Sequence, residues 1–480
     1  MSSENVARDI NTSSPDRPNL ITSEEALALS EKQVHDYFME HMNPGQMHFL
    51  KLLGFDKVIV DSAEGCYYRT RKGRTILDFF GGFGSLACGH NHPRILAARK
   101  RFQDEQRHEI AMAFLSQYAT ALSYNLAQVA PDGLNKVFLT NCGSVANEAA
   151  LKLAERYQGA GRQTVAHASH SFHGKTRAAL SVTDSDMYQG DFRLLDNTVC
   201  VPFGDPAALE AAFQQDPSIG IFILETVQGG AGIVLPPEGY IEAVRELCDR
   251  YKVTWIADEV QCGYGRTGRF FAFEHYGVAP DIITMAKSLG GGKTAMGAYI
   301  ARDEIHDKAY GPSKDALIHG PATFSGMGEG CFTAIEALNV LFDEGLVENS
   351  ANVGDYLLGK LQELRHKYPK FIKEVRGKGL MIGIEFADIS QAMPIGTRKL
   401  VSVFDDRLKG SICGFVGSLL LRDYDVLVAF TEYNRNVVRL EPPLVTSAKE
   451  VDQFIEALDD LLSKGITGIV ARFAKSKVVK

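Results

Sequence analysis

Two apolar runs each deliver one ionisable residue: Val253-Thr-Trp-Ile-Ala257 leads into Asp258, and Ile282-Ile-Thr-Met-Ala286 leads into Lys287. Runs of this length, bounded by Gly and Pro, read as buried strands of a largely parallel sheet. In such sheets a ligand sits beyond the carboxyl ends of the strands, so Asp258 and Lys287 are expected to face one crevice. A carboxylate and an amine placed there suit a ligand with a cationic nitrogen at one end and an electrophilic carbonyl at the other.

Other polar groups follow other strand candidates. After Val137-Phe-Leu139 comes Thr140-Asn-Cys142-Gly143-Ser144 and then a helical pattern, so Gly143 and Ser144 form a helix N-terminus suited to an anion. Phe172 and His173 follow Thr164-Val-Ala166, Glu225 and Gln228-Gly-Gly230 follow Ile219–Leu224, and Gln261 comes just after Asp258. Taken singly, Ser144 reads as a plain helix cap, Phe172 as core, and Glu225 or Asp258 as a capping or ion-paired carboxylate. Five strand ends converging argue for a site. A lysine at a buried strand end loses part of its charge preference and becomes a nucleophile. A carboxylate facing a pyridine nitrogen keeps that ring an electron sink. With a phosphate at the helix N-terminus and an aromatic on the ring face, these are the requirements of pyridoxal 5'-phosphate.

Two rival motifs fail on spacing. Gly263-Tyr-Gly-Arg-Thr-Gly268 has the letters of a dinucleotide fingerprint, but Asp258-Glu-Val-Gln261 separates it from its strand and Asp281 comes only thirteen residues later; the motif needs a helix at once and an acid about 20 residues on. Gly292-Lys-Thr294 resembles the tail of a phosphate-binding loop, yet the glycine required five positions earlier is Lys287.

The elements that position these groups follow from pattern. Strand candidates Val137–Leu139, Thr164–Ala166, Val199–Val201, Ile219–Leu224, Val253–Ala257, Ile282–Met285 and Gly297–Ile300 alternate with helical spacings such as Ile241, Val244, Leu247, Cys248 and Tyr251. This predicts an α/β fold with a mostly parallel seven-stranded sheet. Residues 1–22 read as a disordered tail, 23–90 as an N-terminal segment packing with the small domain, 91–335 as a large cofactor-binding domain, and 336–480 as a smaller α+β domain. Within these spans, Ser23 to Leu53 reads as helical, and Val58–Asp61 with Thr75–Asp78 as an antiparallel pair around the turn at Arg71–Arg74. His90 and His92 lack a carboxylate partner in the sequence pattern and read as turn residues, not metal ligands.

Composition narrows the function classes. The 480-residue chain is 45% hydrophobic, with a net charge of -8 and scattered Lys and Arg. This excludes nucleic acid or an anionic membrane surface as the main partner and favours small molecules. Its eight cysteines show no CxxC pairing and no metal spacing, as expected of reduced thiols. No uncharged apolar run reaches the roughly 18 residues of a spanning helix, and the polar N-terminus is unlike a signal peptide. A cytoplasmic enzyme is expected.

The stretches Ala257-Asp-Glu-Val-Gln261, Gly265-Arg-Thr-Gly268 and Pro280-Asp-Ile through Ala286-Lys287 resemble the class III (ω-amino-acid type) aminotransferases of pyridoxal-phosphate fold type I, over about Gly54 to Lys464. The resemblance implies Lys287 as the Schiff-base lysine and proton carrier, Asp258 on the pyridine nitrogen, and Gln261 on the phenolic oxygen. It places Cys142, Gly143 and Ser144 at the phosphate, Phe172 on the ring with His173 beside it, and Glu225 as a supporting glutamate. Ala322-Thr-Phe324 resembles the segment whose threonine, Thr323, reaches the phosphate of a neighbouring subunit, which implies a homodimer with shared sites. Val438-Arg-Leu-Glu-Pro-Pro-Leu444 resembles the motif whose arginine, Arg439, receives a substrate carboxylate.

Arg193 through Gly204, Arg376-Gly-Lys-Gly-Leu-Met381 and Arg439-Leu-Glu-Pro-Pro look most like putrescine and other diamine aminotransferases. Three departures bear on the substrate: Gly230 stands where relatives often carry a glutamate that neutralises the arginine, Ser325-Gly-Met-Gly-Glu329 replaces Gly-Asn-Pro, and residues 389–436 are longer than expected, an insert read as bordering the substrate entrance. Phe79, Phe80 and Phe83 imply an apolar donor side. The expected reaction moves an amino group between an ω-amine or diamine and 2-oxoglutarate or pyruvate. The alternatives are an acetylornithine-, GABA- or ornithine-type aminotransferase, an aminomutase or decarboxylase on the same fold, and a non-catalytic ligand sensor.

Overall fold

The computed structural model describes residues 18, 20–110, 114–311, 322–388, 412–431 and 433–478. Residues 1–17 and 19 of the expected tail, and 389–411 and 432 of the expected insert, lie outside the described residues. The chain forms two compact units, one up to Ile59 and one from Val60 onward.

In the first unit the helical run expected from Ser23 is three helices, Ser23–Ala28, Glu31–His41 and Pro44–Leu53. Local capping chemistry makes the breaks. Ser30 and Gln33 form a capping box, and Asn43 caps a helix that begins with Pro44, where a missing N–H costs nothing. Gly54 ends the run in a left-handed conformation.

The second unit is built on a seven-stranded sheet: β1 (Leu134–Thr140), β2 (Thr164–Ala168), β3 (Thr198–Val201), β4 (Ile219–Glu225), β5 (Thr254–Asp258), β6 (Ile282–Met285) and β7 (Gly297–Arg302). Their order is β1-β7-β6-β5-β4-β2-β3. Only β7 runs antiparallel to its neighbours; the other pairings are parallel. All seven residues of β4 and all five of β5 are buried, as strands covered on both faces must be. Ile221, Ile223, Ile256 and Ile282 pack in one core with Ala150, Leu151 and Leu153 of the helix Gly143–Gln158. Burying each large apolar side chain stabilises by roughly 1.5–3 kcal/mol. Because Glu225 and Asp258 are register partners, two carboxylates end side by side at one edge of this core.

The expected pairing around Arg71–Arg74 is corrected. The turn joins Tyr67–Thr70 to Thr75–Asp78, and Val60–Glu64 pairs on the far side of Tyr67–Thr70. The alternation of Tyr67-Tyr-Arg-Thr70 supplies the missing strand. Val426–Leu427 extends this sheet in parallel beside Thr75–Asp78. The histidines are corrected too: each has a carboxylate partner, His90 Nε2 at 2.8 Å from Asp78 and His92 Nε2 at 3.2 Å from Glu344. Chain topology brings both partners from outside the local stretch.

After the helices Gly328–Asp343 and Leu346–Lys367, a second antiparallel sheet places Ile372–Lys378, Met381–Phe386, Val437–Leu440 and Ala429–Phe430 side by side. The described helix of the expected insert, Cys413–Tyr424, is buried from Cys413 to Leu421 and packs against Ala448–Ser463 and Gly465–Val478. It is an interior element. Ser447 and Glu450 close a capping box at the start of Ala448–Ser463.

Candidate active site

Asp258 closes β5, and Lys287 follows β6 at the start of a short 3-10 turn. Both line one cavity of about 580 Å³, together with Cys142, Gly143, Ser144, Phe172, His173, Glu225 and Gln261. Nine of the residues singled out by sequence thus meet in one place.

Three donors fix the Asp258 carboxylate. Asn147 Nδ2 and His173 Nδ1 lie 2.8 and 2.7 Å from Oδ2, and the Val260 amide donates to Oδ1 at 3.0 Å. The other ring nitrogen of His173, Nε2, is buried without a hydrogen-bond partner among the described residues. Glu225 takes a different post: its oxygens accept the backbone amides of Phe172 at 2.9 Å and Gly229 at 3.1 Å. It therefore holds the Phe172 segment and the loop after β4 in register. Burial pushes its carboxyl up to about 7, against the opposing effects of His173 and the two amides. Burial also pushes the Lys287 ammonium below its usual range, with Glu441 the largest charge pulling the other way.

The anion-binding end rests on close backbone approach. Gly143 opens a helix of 16 residues, whose first amides have no intrahelical acceptor. A Cβ on Gly143 would meet Val260 Cγ1 at 2.9 Å, and one on Gly174, at φ 136°, would meet Ser144 Oγ at 2.3 Å. Ser144 Oγ accepts the Lys175 amide at 3.2 Å. Cys142 is exposed and makes no side-chain capping bond.

Arg439, Phe83 and Glu441 form a second cluster. Arg439 is 1% exposed and Glu441 0%; Nε of the arginine lies 3.3 Å from Oε2 of the glutamate. Its Nη2 donates to the Phe430 carbonyl at 3.2 Å, and the guanidinium lies 4.9 Å from the centre of the Phe83 ring. Gln261 Nε2 donates to both Glu441 oxygens at 2.9 Å, so Gln261 bridges this cluster and the cavity.

Four expected residues stand apart from the Asp258–Lys287 cavity. Gly230 is buried and does not line it. Arg439 and Phe83 meet each other outside its lining. Thr323 borders a separate hollow of about 320 Å³ with Glu109, Phe114 and Met327. Sequence reasoning missed Asn147 and Glu441. Asn147 is the polar residue on the otherwise apolar buried stripe Ala146, Ala150, Leu151, Ala154. Glu441 stands two residues after Arg439, the spacing that puts two strand side chains on one face.

The family model of the class-III aminotransferases matches residues 54–462. Among solved structures, the ornithine aminotransferase from Toxoplasma gondii ME49 is similar at 26% identity and TM-score 0.79, over 92% of this chain and 99% of that one. An (S)-enantioselective omega-transaminase from Thermomicrobium roseum is similar at 27% identity and TM-score 0.79, over 91% and 99%. The acetylornithine aminotransferase from Elizabethkingia anophelis, at 24% identity and TM-score 0.71 over 90% and 98%, shares the fold. A match over so much of the chain, with a lysine and a carboxylate at adjacent strand ends, shows that this protein belongs to the class-III aminotransferases.

Proposed function

We propose that this protein moves an amino group between an ω-amine or diamine and a 2-oxo acid, 2-oxoglutarate or pyruvate, and does so as a homodimer with shared sites. The protein is a transferase of fold type I that uses pyridoxal 5'-phosphate. The observation that carries the reading is the convergence of Asp258, Lys287 and the Gly143 helix N-terminus on one cavity. The residues present fit the cofactor: two glycines leave room a Cβ would fill, and the buried His173 Nε2 awaits a partner.

When bound, the cofactor supplies an electron sink for the carbon that surrenders a proton. Lys287 Nζ would hold it, and would carry the proton at the carbon bearing the transferred nitrogen. Asp258, kept in place by Asn147 and His173, would hold the ring nitrogen. Phe172 would hold the ring, Gly143 and Ser144 would hold the phosphate, and Glu225 steadies the Phe172 backbone. Arg439 takes the oxo-acid carboxylate, and Phe83 offers an apolar surface to the donor. Thr323 is assigned to the site of a second copy, which the exposed apolar side chain of Phe114, bordering the same hollow, and its exposed sequence neighbour Leu115 support.

A panel of amines with and without an α-carboxylate, crossed with pyruvate and 2-oxoglutarate, tests the reading. Amino-acid product from an ω-amine or diamine is expected, with a loss of at least about a thousandfold in Lys287→Ala. Transfer that survives this substitution overturns the assignment. Carbon dioxide release, or nitrogen migration without oxo-acid consumption, selects decarboxylase or mutase chemistry instead; no turnover with any amine selects a sensor.

A further inference from the structure

A second lysine, Lys293, lines the cavity that holds Lys287, and amino transfer at Lys287 makes no use of it. Its backbone is pinned at both ends: its amide donates to the Gly290 carbonyl at 3.1 Å, and Arg99 Nη1 donates to its carbonyl at 2.7 Å. The ammonium donates to Asn91 Oδ1. Asn91 adopts left-handed backbone, at φ 51°, and its Nδ2 donates to the Ala63 carbonyl at 2.6 Å, which fixes the side of the amide that faces the lysine. Asn91 is neutral, so it aims the charge without matching it. The charged neighbour that acts on Lys293 is another cation, Arg99, whose own carboxylate is Glu329 at 2.5 Å. Among the described residues no carboxylate pairs with Lys293. Burial and Arg99 together push its ammonium below the usual range, and an arriving anion would oppose both effects.

We propose that Lys293 is a specificity-determining residue that receives the distal carboxylate of a dicarboxylic oxo acid of the 2-oxoglutarate type. A Cβ on Gly292 would meet Leu86 Cδ2 at 2.6 Å, so the Lys293 segment lies against the wall that Ser85 and Leu86 give the cavity. The cofactor's phosphate has its own cradle at Gly143 and Ser144, on a helix N-terminus. The unmatched cation is therefore spare for the anionic end of a substrate. A lysine suits the task, because its three donors on a flexible stem let one N–H stay on Asn91 while the others meet carboxylate oxygens. Pyruvate ends in a methyl group and leaves the charge unmatched, so the longer acid is favoured. This rests on the proposed amino transfer for its choice of oxo acid.

The test is calorimetric binding of two unreactive acids to the cofactor-loaded protein: glutarate, with the chain length of 2-oxoglutarate, and propionate, which has a single carboxylate. Lys293→Met keeps the stem and removes the charge. It is expected to weaken glutarate about 10-fold, with propionate affinity and the cofactor dissociation constant unchanged. Equal weakening of both acids marks a structural role and overturns the proposal, as does unchanged glutarate affinity or a parent protein that binds no glutarate. Weaker cofactor binding assigns the ammonium to the phosphate and overturns it too. If Lys293→Met does not yield loaded protein, Asn91→Asp sets a carboxylate against the ammonium and is expected to weaken glutarate about 10-fold with propionate unchanged; any other result overturns the proposal. Glutarate binding needs no turnover, so absence of amino transfer in the parent protein sinks the functional reading alone.

Discussion

Asp258 does not orient itself. Of its three donors, Val260 is backbone, His173 was legible as a polar ring beside a strand end, and Asn147 was not. One amide among the apolar residues of a helix carries no spacing signal, and only the fold shows that it also donates to the His173 carbonyl at 2.7 Å. Replacing Asn147 with Ala removes one donor to Asp258 and one to His173 without charging the site. Losing one such bond to a buried charged acceptor is expected to weaken cofactor affinity about 10-fold, measured by titrating the apoprotein; an unchanged dissociation constant would show that His173 and Val260 suffice. Glu441 escaped for another reason. It stands just past the strand Val437–Leu440, and only the fold brings Arg439 and Gln261 to its carboxylate.

The strands were legible because buried parallel strands run apolar without alternation and stop at a polar residue; β4, β5 and β6 all do so. The first hairpin was misread because aromatic Tyr67 and Tyr68 hid a strand whose inner face is only partly buried. The end of β5 carries a second consequence in Glu259, which follows Asp258. It accepts Thr226 Oγ1 at 2.5 Å and the Ala272 amide at 2.7 Å, tying the strand end to the segment after the Gly263–Gly268 turn. Burial nonetheless pushes its carboxyl up to about 7. The unfolded value lies near 4.3, so the folded protein binds the extra proton between these limits. The contribution of Glu259 to stability is full below the lower value and lost as pH rises toward 7. Glu259→Gln cannot ionise. The melting temperature of the variant apoprotein is expected to gain on that of the parent by about 2–4 °C between pH 5 and pH 8, read by calorimetry. A difference independent of pH would contradict this sign.

At the scale of the whole molecule, the compact unit from Val60 onward contains every residue that lines the Asp258–Lys287 cavity. Phe114 and Leu115 are 83% and 96% exposed, close to the hollow that holds Thr323. Sequence alone gave no sign of this patch, since Ala113-Phe-Leu115 reads like any short apolar run. The proposed homodimer predicts that Leu115→Arg is monomeric in light scattering and retains cofactor less well, with little change in single-chain folding; a dimer that persists would place the interface elsewhere. Lys287, finally, sits at φ 49°, a left-handed conformation that costs a non-glycine residue about 1–2 kcal/mol. Glycine would occupy the position without strain. Selection for sturdiness alone would therefore erase this lysine, and in any descendant relieved of its chemistry position 287 is where drift toward a more stable chain would begin.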